Sequence, residues 1–114
     1  MASDPMTPKR ELLPGMLDML ILKTLSVQSM HGYGIAQHLL RLSDDVIKVE
    51  EGSLYPALQR MRQKGWIKAE WRQTPNNQRA RYYTVTVTGR RQLGERQTAF
   101  DELIAAVERI MDPA

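Results

Sequence analysis

Basic and amide side chains are concentrated in the middle of this chain, where they have the chemistry to bind a polyanion. Between residues 53 and 91 there are nine basic side chains and a single acidic one, Glu70. The 114 residues carry a net charge of +3, so the rest of the chain is acidic in balance. A contiguous cationic segment of this kind is typical of a protein that binds nucleic acid. The alternative is a basic surface that only faces solvent.

Residues 50–67, EEGSLYPALQRMRQKGWI, have apolar side chains at helical spacing and a polar opposite face. We expect Gly52 and Ser53 to cap this helix, which places Pro56 in the first turn, where its missing N–H donor costs nothing. Gly65 is expected to end the helix. The candidates for DNA contact on this helix are Ser53, Tyr55, Pro56, Gln59, Arg60, Gln63 and Lys64.

Different chemistry is expected from different members of this set. Gln59, Arg60 and Gln63 are the strongest candidates for base edges, because helical spacing directs them away from the apolar face. Lys64 is expected to contact phosphate or to face solvent. For Tyr55 two interpretations stay open, namely a phosphate contact through its hydroxyl or packing of the ring between helices.

Two segments of alternating polar and apolar residues follow, WIKAEWRQT and RARYYTVTV, with a Pro-Asn-Asn turn between them. This pattern predicts a β-hairpin. Trp66 and Trp71 have opposite parity in the first segment, so we expect one of them to lie in the core. Four side chains at or beside the hairpin tip are candidates for contact with phosphates or the minor groove: Asn76, Asn77, Arg79 and Arg81.

Two helices are predicted before the basic segment. Residues 11–28 are strongly apolar and begin with Pro14 at a helix-starting position. A second helix follows, with Ser29 or His31 near its cap. Residues 44–52 contain β-branched side chains and a turn, so we expect a brief extended segment there.

The last predicted element is a helix over residues 87–111 with Thr86 as its N-cap. Its apolar side chains recur at heptad-like spacing, which favours a dimer seam. Packing within one subunit is the alternative. The seam residues are Leu93, Phe100, Leu103, Ile104, Val107 and Ile110.

Together these elements predict a mainly α protein with a small β-hairpin (α+β), namely a winged helix-turn-helix with a C-terminal dimerisation helix. We expect a flexible arm at residues 1–10, a DNA-binding domain at 11–86 and the dimerisation helix at 87–114. The arm lacks the apolar core of a signal peptide, and no apolar run is long enough to span a bilayer. A cytoplasmic protein is therefore expected.

Three motifs resemble the PadR family of bacterial transcriptional regulators over roughly residues 11–92. They are HGYGIAQHL, EEGSLYPALQRMRQKGWI and RARYYTVTVTGRRQL. The matching positions are His31-Gly32-Tyr33, the run from Gly52 to Leu58, and Tyr83, Thr86 and Gly89. Gly34 departs from the family pattern, which often has Glu there. The resemblance implies a dimeric repressor that responds to a small aromatic or lipophilic effector.

Other classes of function find little support in the sequence. The chain has no cysteine, and His31 and His38 lack further ligands at metal-binding spacing, so neither a metal nor another cofactor is expected. No motif of enzyme catalysis is present. Two hypotheses remain: a homodimer that binds an inverted-repeat operator in double-stranded DNA, and a winged-helix module for protein–protein assembly. An assembly module would more often expose apolar anchors on its third helix.

Overall fold

The computed structural model describes residues 12–13 and 15–112. In chain order they form α1 (Met16–Val27), β1 (Met30–His31), α2 (Gly32–Leu42), α3 (Glu51–Gln63), β2 (Ile67–Gln73), β3 (Arg79–Val85) and α4 (Val87–Met111). The predicted class, mainly α with a small β-hairpin, is confirmed. The predicted arm at residues 1–10 and the helix start at Pro14 lie outside the described residues. Within the described part of the chain, every helix is too short or too polar to cross a bilayer.

The hydrophobic core lies where α1, α2 and α3 meet the sheet. These helices contribute buried apolar side chains at helical spacing, namely Ile21 and Leu25 on α1, Ile35 and Leu39 on α2, and Leu54, Leu58 and Met61 on α3, whereas Leu42 at the end of α2 is exposed. Trp66, just before β2, is buried, whereas Trp71 on β2 is exposed, so the prediction that one tryptophan lies in the core is confirmed. The most deeply buried large side chains are Ile21, Leu22, Ile35, Leu54, Leu58, Met61 and Ile67.

The sheet has three antiparallel strands in the order β1-β3-β2. The hairpin of β2 and β3 was predicted, but β1 was not, because two residues are too few for an alternating pattern. The hydroxyl groups of Ser29 and Thr84 form a 2.7 Å hydrogen bond beside β1. The expected extended segment within residues 44–52 forms no strand, and its last two residues already belong to α3.

The start of α3 differs from the sequence prediction. The helix begins at Glu51 with Glu50 as N-cap, so Pro56 is its sixth residue and lies in the second turn. The expected cap at Gly52 and Ser53 is therefore wrong. Pro56 leaves the carbonyl of Gly52 without its intrahelical donor, and Gly52 is exposed, so water can bond this carbonyl.

The positions of two apolar residues favour the start of the helix at Glu51. Val49 precedes the N-cap and Leu54 is the fourth helical residue, and both join the same apolar cluster. These are the positions of a hydrophobic staple, which fixes the direction of chain entry. Glu51 adds a negative charge in the first turn, where the helix dipole favours it. Together these effects outweigh the cap preference of Ser53.

The end of α3 agrees with the prediction. Gly65 has a φ of 76°, a left-handed conformation that glycine adopts without a Cβ clash. The Trp66 N–H donates to the Met61 carbonyl at 3.0 Å and the Gly65 N–H donates to the Arg62 carbonyl at 3.0 Å. This pair of bonds is a Schellman motif. It sends the chain directly from α3 into β2.

Thr86 forms the junction between β3 and α4, and it is the N-cap that the sequence predicted. Its hydroxyl accepts a bond from the Gly89 N–H at 3.0 Å and donates to the Gly65 carbonyl at 2.6 Å. A Cβ on Gly89 would overlap the carbonyl oxygen of Trp66, so only glycine permits this approach. Thr86 and Gly89, two of the motif residues, therefore connect the start of α4 to the end of α3.

Candidate nucleic-acid interface

The polar face of α3 is exposed and contains most of the predicted contact residues. Ser53, Tyr55, Pro56, Gln59, Gln63 and Lys64 all lie on the surface. Gln59 also accepts a long hydrogen bond of 3.3 Å from Arg62, which orients its amide along the helix. Donors and acceptors on one exposed face of a helix have the chemistry to bond base edges and phosphates.

Arg60 has a partner that the sequence reasoning missed. Its Nη2 atom donates to Oδ1 of Asp18 on α1 at 2.6 Å, and the two groups form a salt bridge. Asp18 is only 5% exposed. The signal in the sequence was a lone acid inside the apolar run MLDMLIL. The helical wheel of α3 alone suggested that the Arg60 side chain projects freely into solvent. The salt bridge to Asp18 shows that it does not.

Tyr55 packs across the start of α2 while its hydroxyl stays near the surface. A Cβ on Gly32 would lie 2.7 Å from the Tyr55 hydroxyl oxygen, so the ring requires glycine there. Partial burial, followed by the charge of Glu51 and by Tyr83, raises the pKa of Tyr55 above its usual value. At neutral pH the phenol therefore keeps its proton and is a hydrogen-bond donor. The structure shows the packing; phosphate contact stays a prediction.

The tip of the hairpin, which we call the wing (residues 71–81), is polar and tightly closed. Asn77 has a φ of 63°, a left-handed conformation that Asn tolerates in turns. Thr74 bonds Gln78 twice, through its backbone N–H and through its hydroxyl, at 2.6 and 3.2 Å. Asn76 and Asn77 are both exposed, so the amide groups predicted to contact DNA lie at the tip.

A cluster of one tryptophan and two arginines lies along the wing. The guanidinium groups of Arg79 and Arg81 stand 5.5 and 5.9 Å from the centre of the Trp71 ring. Trp71 is 58% exposed. Cation–π attraction holds both guanidinium groups beside the ring. The two predicted wing arginines are thus brought together, and Trp71 is the element that the sequence reasoning did not assign to the site.

An open groove of about 990 Å³ separates α2 from the wing. Its walls include Arg41 and the rings of His31 and Tyr82, which meet edge to face at 5.3 Å. None of the described residues that line the groove is acidic. The other aromatic and cationic lining residues are Tyr33, His38, Tyr55, Trp71, Arg79, Arg81 and Tyr83. An acid-free groove with cations on both sides attracts an anionic, extended ligand.

The predicted seam on α4 is a largely exposed apolar stripe. Leu93 and Phe100 are half-buried against the domain, whereas Leu103, Ile104, Val107 and Ile110 are exposed. A small apolar cavity of about 220 Å³ lies beside Phe100, between the start of α1 and the middle of α4. Large exposed apolar stripes often mark interaction surfaces in other proteins. The dimer seam on α4 stays a prediction.

Comparisons with a family model and with solved structures all match PadR-like regulators. A model of the Transcriptional regulator PadR-like family matches residues 21–95. A solved PadR-like transcriptional regulator from Bacillus cereus is 26% identical, with a TM-score of 0.76 over 86% of this chain and 93% of that chain. A PadR family transcription regulator from Clostridium difficile is 27% identical, with a TM-score of 0.74 over 85% and 99%. One from Eggerthella lenta is 28% identical, with a TM-score of 0.72 over 88% and 85%.

Proposed function

Since the chain belongs to the PadR-like family of transcriptional regulators, we propose that it is a homodimeric regulator that binds a specific double-stranded operator. The observation that carries this proposal is the exposed polar face of α3 beside a cationic wing and an acid-free groove. These three surfaces together suit the two features of duplex DNA, namely base edges in the major groove and phosphates along its sides.

In this proposal α3 enters the major groove. Gln59 and Gln63 face outward and are suited to bond base edges, since an amide pairs with adenine through a donor and an acceptor. Arg60 lies beside them and is suited to guanine. Ser53, Tyr55, Pro56 and Lys64 are assigned to the groove walls, where hydroxyl and ammonium groups bond phosphates.

The wing and the α2 groove receive the sugar–phosphate backbone. Arg79 and Arg81 neutralise phosphates or enter the minor groove, and Asn76 and Asn77 donate from the tip. Arg41 faces the wing from α2, so a strand of DNA passing through the groove meets positive charge on both sides. Such contacts give affinity that falls steeply with salt, because bound phosphates release their counterions.

Two copies of α4 form the dimer in this proposal. The exposed residues Leu103, Ile104, Val107 and Ile110 are the seam, continued by Leu93 and Phe100 toward the domain. Two-fold symmetry then predicts an inverted-repeat operator whose half-sites lie about one helical turn, or a multiple of it, apart.

We further propose repression that a small aromatic or lipophilic compound relieves. Occupation of an operator by a dimer excludes other proteins from the same DNA. The apolar cavity between the start of α1 and α4 adjoins the proposed seam, so a lipophilic compound there would alter how two copies of α4 meet.

Selection of bound duplexes from a random DNA pool tests the proposal. The selected duplex and a scrambled control are then titrated at two salt concentrations. An enriched palindrome that binds far more tightly than the control is expected. Equal and steeply salt-sensitive binding to both duplexes would contradict specific recognition, because charge alone would hold the DNA. That result would favour an assembly module instead.

A further inference from the structure

A buried acid on α1 reaches toward α3, the helix proposed to enter the major groove. Asp18 is 5% exposed and accepts the 2.6 Å hydrogen bond from Arg60 described above. It lies in the first turn of α1, where the helix dipole also favours a negative charge. A buried carboxylate without a partner is strongly unfavourable, so the pair persists in the folded protein.

Arg60 has capacity left after this bond. A guanidinium presents several N–H donors in a rigid planar fork, and the bond to Asp18 uses Nη2. The Arg60 side chain is 48% exposed, so the group touches Asp18 on one side and solvent on the other. It stands on the flank of the polar face that contains Gln59 and Gln63.

From this geometry we infer that Asp18 is a positioning residue that fixes Arg60 for reading a base edge, an inference that rests on the proposed DNA-binding function. A free arginine samples many rotamers and loses that freedom on binding. Asp18 removes the freedom before DNA arrives. Bidentate recognition of guanine also depends on the plane of the fork, which the bond to Asp18 restrains. Asp18 thereby contributes to base specificity without touching DNA.

Simple electrostatics predicts a different effect for Asp18, and the difference makes the inference testable. Removal of a negative charge should leave binding to any duplex unchanged or make it slightly tighter. Loss of a positioning residue should instead lower discrimination at one base pair. Asp18→Asn is therefore expected to keep non-specific affinity while it loses specificity at a single position.

The experiment uses the selected operator duplex, all its single-base-pair variants and a scrambled duplex. Wild type, Asp18→Asn, Arg60→Ala and the double variant are titrated against each. Glu102→Gln, which removes one charge from the exposed surface of α4, is the charge-matched control. Asp18→Asn and Arg60→Ala are expected to lose roughly tenfold discrimination at the same base pair. With Arg60→Ala already present, Asp18→Asn should cause no further loss, whereas Glu102→Gln should retain full discrimination.

Several results would overturn the inference. One is full discrimination by either Asp18→Asn or Arg60→Ala. Another is that the two single variants lose discrimination at different base pairs, or that their losses of discrimination add in the double variant. If Asp18→Asn does not fold, Asp18→Glu replaces it, because it keeps the charge but displaces it by one methylene. If Asp18→Glu loses discrimination only at the base pair that Arg60→Ala affects, the inference is supported. If Asp18→Glu keeps full discrimination, the inference is refuted. If the wild type selects no duplex, the proposed function itself is wrong.

Discussion

The Tyr55 ring and the Gly32 backbone are in such close contact that a Cβ on Gly32 would lie 2.7 Å from the phenolic oxygen. This contact joins the start of α2 to the second turn of α3. It also explains a pairing of two sequence motifs, because the glycine of His-Gly-Tyr makes room for the tyrosine of Leu-Tyr-Pro. The relative placement of α2 and α3 therefore depends on the absence of one methyl group.

Gly32→Ala is expected to destabilise the protein by about 1–2 kcal/mol, because the added methyl group displaces the Tyr55 ring. Denaturant unfolding measures this. Gly52→Ala is the control, since nothing lies within 4 Å of a Cβ at that position. In a Tyr55→Ala background, Gly32→Ala should cost clearly less than in the wild type. Equal costs in both backgrounds would show that the ring is not what the methyl group meets.

Tyr55 should make a contribution to the free energy of unfolding that is lost at high pH. Partial burial is the main cause that raises its pKa in the folded state, so the neutral phenol is favoured by folding. This contribution is complete below the unfolded pKa of about 10 and is lost as pH rises through the higher folded value. Absorbance titration of phenolate in folded wild type and Tyr55→Phe measures the pKa of Tyr55 on which this contribution depends. The tyrosine missing from the variant should be one that ionises above pH 10; ionisation at or below that value would contradict the prediction.

Gly89 and Gly94 lie in the same helix but should respond oppositely to alanine. At Gly89 a methyl group would overlap the carbonyl of Trp66, whereas at Gly94 nothing lies within 4 Å. Gly89→Ala is expected to lose about 2 kcal/mol or more of unfolding free energy. Gly94→Ala should gain about 0.5–1 kcal/mol, because alanine favours helix. Thermal or urea unfolding of both variants decides; a tolerated Gly89→Ala would contradict the close approach of α4.

Arg79→Ala should weaken DNA binding by a similar factor on all sequences. If Arg79 contacts one phosphate, the slope of log affinity against log salt should fall by about 1. The matched control is Arg109→Ala, which removes the same charge from the exposed end of α4. Titrations across a salt series measure both slopes. A loss confined to particular duplex sequences would instead assign Arg79 to base contact in the minor groove.

Leu103→Asp combined with Val107→Asp should convert the proposed dimer to monomers and weaken operator binding, because four charges would face each other in a dry seam. Light scattering gives the mass. Thr98→Asp combined with Ala105→Asp adds the same charges to exposed positions on the opposite side of α4 by helical spacing, and should remain dimeric. A dimer that survives the first pair of substitutions would place the interface elsewhere.

The parts of the fold that the sequence predicted are those with strong local signals. Gly65 ends α3 because its φ of 76° suits glycine, and Thr86 caps α4 because its hydroxyl reaches the Gly89 N–H. Both effects act within a few residues. The start of α3 was missed because two local signals competed there. The cap preference of Ser53 was outweighed by the apolar positions of Val49 and Leu54.

The missed parts of the candidate site depend on distant neighbours. Asp18 and Arg60 are 42 residues apart in the chain, so the wheel of one helix does not show their bond. Trp71 was expected to alternate with Trp66, but its place between two wing arginines required the register of β2 and β3, in which Trp71 stands opposite Arg81. Periodicity assigns a side chain to a face; only tertiary structure identifies what that face meets.

Only Thr86 separates β3 from α4, so a change in the tilt of the helix is passed directly to the sheet. β3 ends at Val85 and α4 begins at Val87, and no loop between them absorbs motion. A helix of 25 residues is ~37 Å long, so a tilt of about 10° moves its far end by ~6 Å. That distance is close to two base-pair steps along DNA. In the proposed dimer, a small change of angle where the helices cross would therefore move one wing out of register with its half-site.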